Sequence, residues 1–158
     1  MFLAVVVVGL GIAWIIRSAP TEVATVGSPA PDFTVEVIEG GTFTLSEAIG
    51  RPVVLNFWAS WCEPCRTEIP DISTFAEANP DVTVIGVAVE DVEDAAREFA
   101  AEIDAAYPLA LGTSEVEEAY PRLGLPVTYI IDADGTVREV FNGILDENVL
   151  LDLVQTST

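Results

Sequence analysis

A nearly continuous apolar run from Val53 to Trp58 is followed within a few residues by Cys62 and Cys65, the only cysteines in the chain, and then by a polar segment of helical character. Such a run fits a strand buried on both faces. The C-x-x-C spacing then sets two thiols on the first turn of a helix. There they are close enough to form a disulfide and close enough to the helix N-terminus to feel its dipole. The dipole favours the thiolate, the species that attacks another disulfide. Strand, dithiol and helix in this order point to redox chemistry.

Other uses of the pair fit the chain less well. A structural zinc ion wants four ligands, usually Cys or His, and the chain has no His and no third Cys. No metal is therefore expected, and no bound cofactor. A c-type haem attachment needs His directly after the second Cys, where Arg66 stands. A purely structural disulfide across so short a loop removes little entropy from the unfolded chain.

Charge narrows the field further. Asp and Glu number 26 against six Arg and no Lys, for a net charge of −20. That surface repels nucleic acid and phosphate-rich ligands. The absence of His removes Ser-His-Asp and Cys-His nucleophile systems. The acidity fits both an adaptation to high salt and ordinary acidity in an arginine-favouring genome.

Phe2 to Ile16 is apolar and uncharged, ends at Arg17, and is somewhat short of the ~20 residues that span a bilayer comfortably. It lacks the basic n-region and the A-x-A site of a cleaved signal, so residues 1–17 are read as a membrane anchor helix. Residues 18–30, rich in Pro, Thr, Ala and Gly, read as a linker, and 31–158 as the folded domain. Within it, Phe33 to Val37 and Thr42 to Thr44 suggest a hairpin, and Ser46 to Ile49 a helical turn. Val53 to Trp58 and Val82 to Val89 suggest buried strands, and Glu63 to Ala78 a helix with Pro70 as a kink. Asp91 to Ala106 reads as an amphipathic helix with Asp91 as N-cap. Leu109 to Leu111 suggests an edge strand, Ser114 to Tyr120 a short helix capped by Ser114, Val127 to Ile131 and Val137 to Phe141 a hairpin, and Asp146 to Val154 a closing helix. Strands alternating with helices and ending in a hairpin predict an α/β fold with a mixed central sheet flanked by helices.

Trp61-Cys62-x-Pro64-Cys65 between a strand and a helix, with a distant Gly124-x-Pro126 before a strand ending Ile131-Asp132-x-x-Gly135, resembles the thioredoxin superfamily. Pro31-Asp32-Phe33 and the Cys65-x-x-Glu68-x-Pro70 continuation make the chain similar, over residues 27–158, to the membrane-anchored ResA/TlpA/CcmG type of thiol–disulfide oxidoreductase. That resemblance implies a thioredoxin-like fold with an N-terminal hairpin extension behind a transmembrane anchor, and a catalytic domain outside the cytoplasm. It assigns Cys62 as the more exposed, attacking thiol and Cys65 as the resolving thiol. Pro64 would tune the Cys62 thiolate. Pro126 would be a cis-proline facing the disulfide, and Leu125 would offer backbone groups to an extended substrate by strand addition. Glu68, three residues after Cys65 on the same helix face, would accept the resolving thiol's proton. A solvated surface Glu is the alternative for it.

Where thioredoxin keeps a buried Asp, this chain has Asn56, which favours Glu68 as the substitute. Arg66 either stabilises Cys62 or pairs with Glu63 or another acid. Trp61 joins the recognition surface, while Trp58, inside the strand, reads as core. The expected partners are protein disulfides, with apocytochrome c as the family's known client, and a membrane thiol reductase as electron donor. A thiol oxidant or isomerase of the same fold and a redox-inert binding module are the rivals. A peroxiredoxin shares the Pro-Asp-Phe entry, but Cys62 lacks the P-x-x-x-T-x-x-C context of a peroxidatic Cys.

Overall fold

The computed structural model describes residues 22–155. Its strands are β1 (Thr34–Val37), β2 (Thr42–Thr44), β3 (Val53–Trp58), β4 (Thr83–Ala88), β5 (Leu109–Leu111), β6 (Val127–Ile131) and β7 (Val137–Asn142). They form one sheet in the order β2-β1-β5-β4-β3-β6-β7. Strands β3, β4 and β5 run parallel, and the remaining pairings are antiparallel. The helices are α1 (Leu45–Ala48), α2 (Glu63–Ala78), α3 (Glu93–Ile103), α4 (Ser114–Ala119) and α5 (Glu147–Gln155). This is a thioredoxin-like α/β fold with a mixed central sheet.

Strand periodicity splits the core in two. Val53, Leu55 and Phe57 of β3 meet Leu45 of α1 and Val116 of α4 on one face. Val54 and Trp58 meet Cys65, Ile69 and Ile72 of α2, Phe99 of α3 and Leu150 of α5 on the other. Every residue of β3 is buried, so the strand is covered by helices on both sides. Asn56 therefore faces the α2 side, in a sheet row with Thr128 on one flank and Gly86 on the other.

The structure departs from the sequence reading at several points. Strand β5 is interior rather than an edge, because the β1–β2 hairpin pairs onto it through Glu36 and Val37. Helix α3 begins after Val92, so Asp91 is not its N-cap. The Asp91 carboxylate instead accepts hydrogen bonds from Ser60 N–H and Oγ–H. Thr113, not Ser114, caps α4 by accepting from Val116 N–H. Residues 24–30, the end of the expected linker, are docked on the domain. Ala24 is buried and donates to Ala119 O, while Gly27 and Ala30 donate to Val137 O and Gly135 O. Those bonds satisfy backbone groups along a strap that composition alone marks as tether. No helix among the described residues is long and apolar enough to cross a membrane, and the expected anchor lies outside them.

One close approach fixes how β4 meets the segment after β5. Gly112 N–H donates to Ala88 O at 2.8 Å, and a Cβ at Gly112 would stand 2.3 Å from that same carbonyl oxygen. Backbone cannot yield as a side-chain tip does. Gly112→Ala is expected to cost about 3 kcal/mol, read as a lower midpoint in urea unfolding.

Candidate active site

Helix α2 starts where β3 ends, and the turn between them carries the dithiol. Cys62 is the N-cap residue in an extended conformation, its Sγ accepting from Cys65 N–H at 3.2 Å. Pro64 sits in the first turn, where a missing N–H costs nothing because no carbonyl waits for it. Cys62 and Cys65 are joined in a disulfide with a Cα–Cα distance of 5.3 Å. Cys62 is 3% exposed and Cys65 fully buried, the order expected for an outer and an inner sulfur. The bonds from Ser60 to Asp91 pin the turn just before them.

Glu68 is fully buried one helical turn beyond Cys65, so the surface alternative is set aside. Asn56 Nδ2 donates to Glu68 Oε1 at 2.7 Å and to Thr128 Oγ1 at 3.0 Å. Leu145 N–H donates to Glu68 Oε2 at 3.1 Å. Burial pushes the Glu68 pKa up to about 7, against the pull of the Leu145 and Asn56 hydrogen bonds. A carboxyl poised there exchanges a proton readily at neutral pH. Asn56 thus ties the buried Glu68 carboxyl of α2 to strand β3.

The rest of the surface follows from the sheet. The Leu125–Pro126 peptide bond is cis. It directly precedes β6, whose Val127 pairs with Phe57, so it lies at the same end of the sheet as the dithiol turn. Gly143 N–H donates to Pro126 O, and a groove of about 190 Å³ runs between Leu123–Pro126 and Asn142–Gly143. Trp61 is 61% exposed, with its indole N–H donating to Glu90 O at 3.0 Å, whereas Trp58 is buried and stacked on Phe99. Arg66 lies over the Phe99 ring and pairs with Glu102 at 3.5 Å, so it is directed at another acid rather than at Glu63.

The profile of the AhpC/TSA family matches residues 26–140. The chain belongs to this family. Its relatives include the thiol–disulfide oxidoreductase ResA of Bacillus subtilis, 33% identical over 129 residues that cover 80% of this chain and 72% of the relative. Another is the thioredoxin-like protein YneN of the same organism, 32% identical over 75% of this chain and 72% of the relative. Among solved structures, a thiol:disulfide interchange protein of the thioredoxin family from Chlorobium tepidum superposes with a TM-score of 0.76 at 27% identity. The match covers 84% of this chain and 97% of that one. The protein is a thiol–disulfide oxidoreductase.

In this oxidoreductase the structure brings Cys62, Cys65 and Glu68 onto one helix, and Trp61 and Pro64 onto the same turn. Leu125 and Pro126 come from a separate loop. Sequence reasoning missed Thr128, the Leu145 N–H and the Asp91 tie. A polar residue inside an apolar strand was the available signal for Thr128, as it was for Asn56. A backbone donor from a loop 77 residues away from Glu68 leaves no such trace.

Proposed function

We propose that this oxidoreductase is a membrane-tethered, extracytoplasmic reductant of protein disulfides. The Cys62 thiolate attacks a substrate disulfide, forming a Cys62–substrate disulfide and releasing one substrate thiolate, which takes a proton from water. Cys65 passes its proton to the Glu68 carboxylate and attacks the Cys62 sulfur. The products are the Cys62–Cys65 disulfide and the second substrate thiolate, which takes a proton from water, with two electrons moved from enzyme to substrate. A membrane thiol reductase returns the two electrons. Trp61, Pro64, Leu125 and Pro126 receive the extended segment around the substrate disulfide, and apocytochrome c is the client class. The N-terminal apolar run holds the enzyme at the membrane.

One observation carries the reading: a fully buried carboxyl, held by Asn56 and the Leu145 N–H, on the helix that bears the dithiol. A proton acceptor at that position serves the step in which Cys65 must lose its proton. The reduction potential of the pair tests the direction of electron flow. Equilibration of the full chain with defined thiol–disulfide buffers is expected to give a value at or below that of thioredoxin, about −270 mV. A value near that of DsbA, about −120 mV, would make the enzyme an oxidant and remove the client assignment.

A further inference from the structure

Trp61 and the cis-proline loop stand on different elements, yet hydrogen bonds through Glu90 link Trp61 to Arg122, which directly precedes that loop. Glu90, just beyond β4, accepts the Trp61 indole N–H on its carbonyl at 3.0 Å. Its own N–H donates to Glu117 Oε1 of α4 at 2.9 Å. Its carboxylate accepts from Arg122 at 3.2 Å. Glu90 has a φ of 53°, in the left-handed region that a glutamate rarely adopts. Such a conformation persists only where the surroundings over-determine it.

Arg122 is the other half of the tie. Its side chain is only 7% exposed, and it lies four residues before Pro126. One terminal nitrogen donates to Tyr120 O at 2.8 Å and Glu117 O at 3.3 Å, capping the end of α4. The other reaches Glu90, and the guanidinium lies over the Phe57 ring at 5.4 Å. The planar fork reaches two carbonyls from one terminal nitrogen and a carboxylate from the other, a spread that a lysine ammonium, with all its donors on one nitrogen, does not reproduce. The neighbouring acids Glu90 and Glu117 remain partly exposed, so the burial of charge is concentrated on the arginine.

We infer that Arg122 is a positioning residue, which through Glu90 holds Trp61 in place relative to the Leu123–Pro126 loop and so sets how a protein disulfide seats on the two. It touches no reacting atom. The inference rests on the proposal that Trp61 and Leu125–Pro126 contact the substrate. A small disulfide reaches Cys62 without touching both, whereas a polypeptide must lie against Trp61 and Leu125–Pro126 together.

The test compares kcat/KM for insulin with kcat/KM for hydroxyethyl disulfide, an uncharged probe, using the full chain in detergent. For Arg122→Met, the ratio of protein to small-disulfide kcat/KM is expected to fall about tenfold, through KM for insulin. Glu90→Gln, a change at a largely exposed side chain, is expected to lower it about threefold and covers the case in which Arg122→Met does not fold. Trp61→Ala lowers the ratio too, and the double variant Trp61→Ala/Arg122→Met loses less than the two single losses multiplied, because Arg122 acts through Trp61. Equal losses on both probes, or no loss on either, overturn the role of Arg122. If Trp61→Ala leaves the ratio unchanged, the substrate-surface reading itself fails.

Discussion

Cys65→Ala is expected to stop turnover on a protein disulfide while leaving the first attack intact. On the proposed roles the Cys62 thiolate would still open the substrate disulfide, but the mixed disulfide would then have no neighbouring thiol to resolve it. Well-oriented intramolecular attack can be worth effective concentrations of about 10⁵ M and more. Even an effective concentration near ~1 M, set against millimolar external thiol, makes the loss at least about a thousandfold. Mass spectrometry under non-reducing conditions should find the substrate attached through Cys62, and the Cys62→Ala/Cys65→Ala chain should carry none. Normal turnover by Cys65→Ala would mean that resolution comes from elsewhere.

Glu68→Met is expected to abolish the pH dependence that this one carboxyl imposes on stability. In the folded protein its pKa is raised from 4.5 to about 7 by burial. The folded state therefore holds the proton more tightly than the unfolded state. That contribution is complete below about pH 4.5 and is lost as pH rises through 7. The gap corresponds to about 3 kcal/mol. Urea unfolding of the oxidised protein should show the variant gaining about 3 kcal/mol on the wild type between pH 4.5 and pH 8. Leaving Asn56 Nδ2 and Leu145 N–H without their acceptor adds a penalty that does not vary with pH. A stability difference independent of pH would show that Glu68 titrates normally. In turnover, the same variant should lose on the order of a hundredfold in kcat near neutral pH, the usual worth of a positioned proton acceptor.

The elements most legible in the sequence were those whose residues answer to local physics. The apolar run of β3 and the Cys62–Pro64 start of α2 marked their boundaries because burial on both faces and a proline at a helix start leave compositional traces. Strand order left none: β5 looks like an edge because it is short, and only the pairing of Glu36 and Val37 shows otherwise. Asp91 carries the residue type of a helix cap, and the chain spends it on Ser60 instead. Glu68 was harder to read in a chain so rich in acids. Its local signal was the run of Cys65, Ile69 and Ile72 on one helix face, which would bury whatever stood among them. Arg122 had no such signal, because its partners lie at the ends of a helix and a strand that sequence does not bring together.

The docked strap at residues 24–30 changes the geometry of encounter in the membrane-tethered arrangement proposed above. A flexible tether reaching as far as Pro31 would let the domain wander farther than one that ends at Ala24. Seven residues at about 3.4 Å each shorten the reach by about 24 Å. The volume swept by Cys62 above the bilayer shrinks accordingly. The effective concentration of the dithiol at a membrane-embedded donor rises without any change in affinity. Four backbone hydrogen bonds, remote from the chemistry, would thereby help to decide how often a tethered enzyme is recharged.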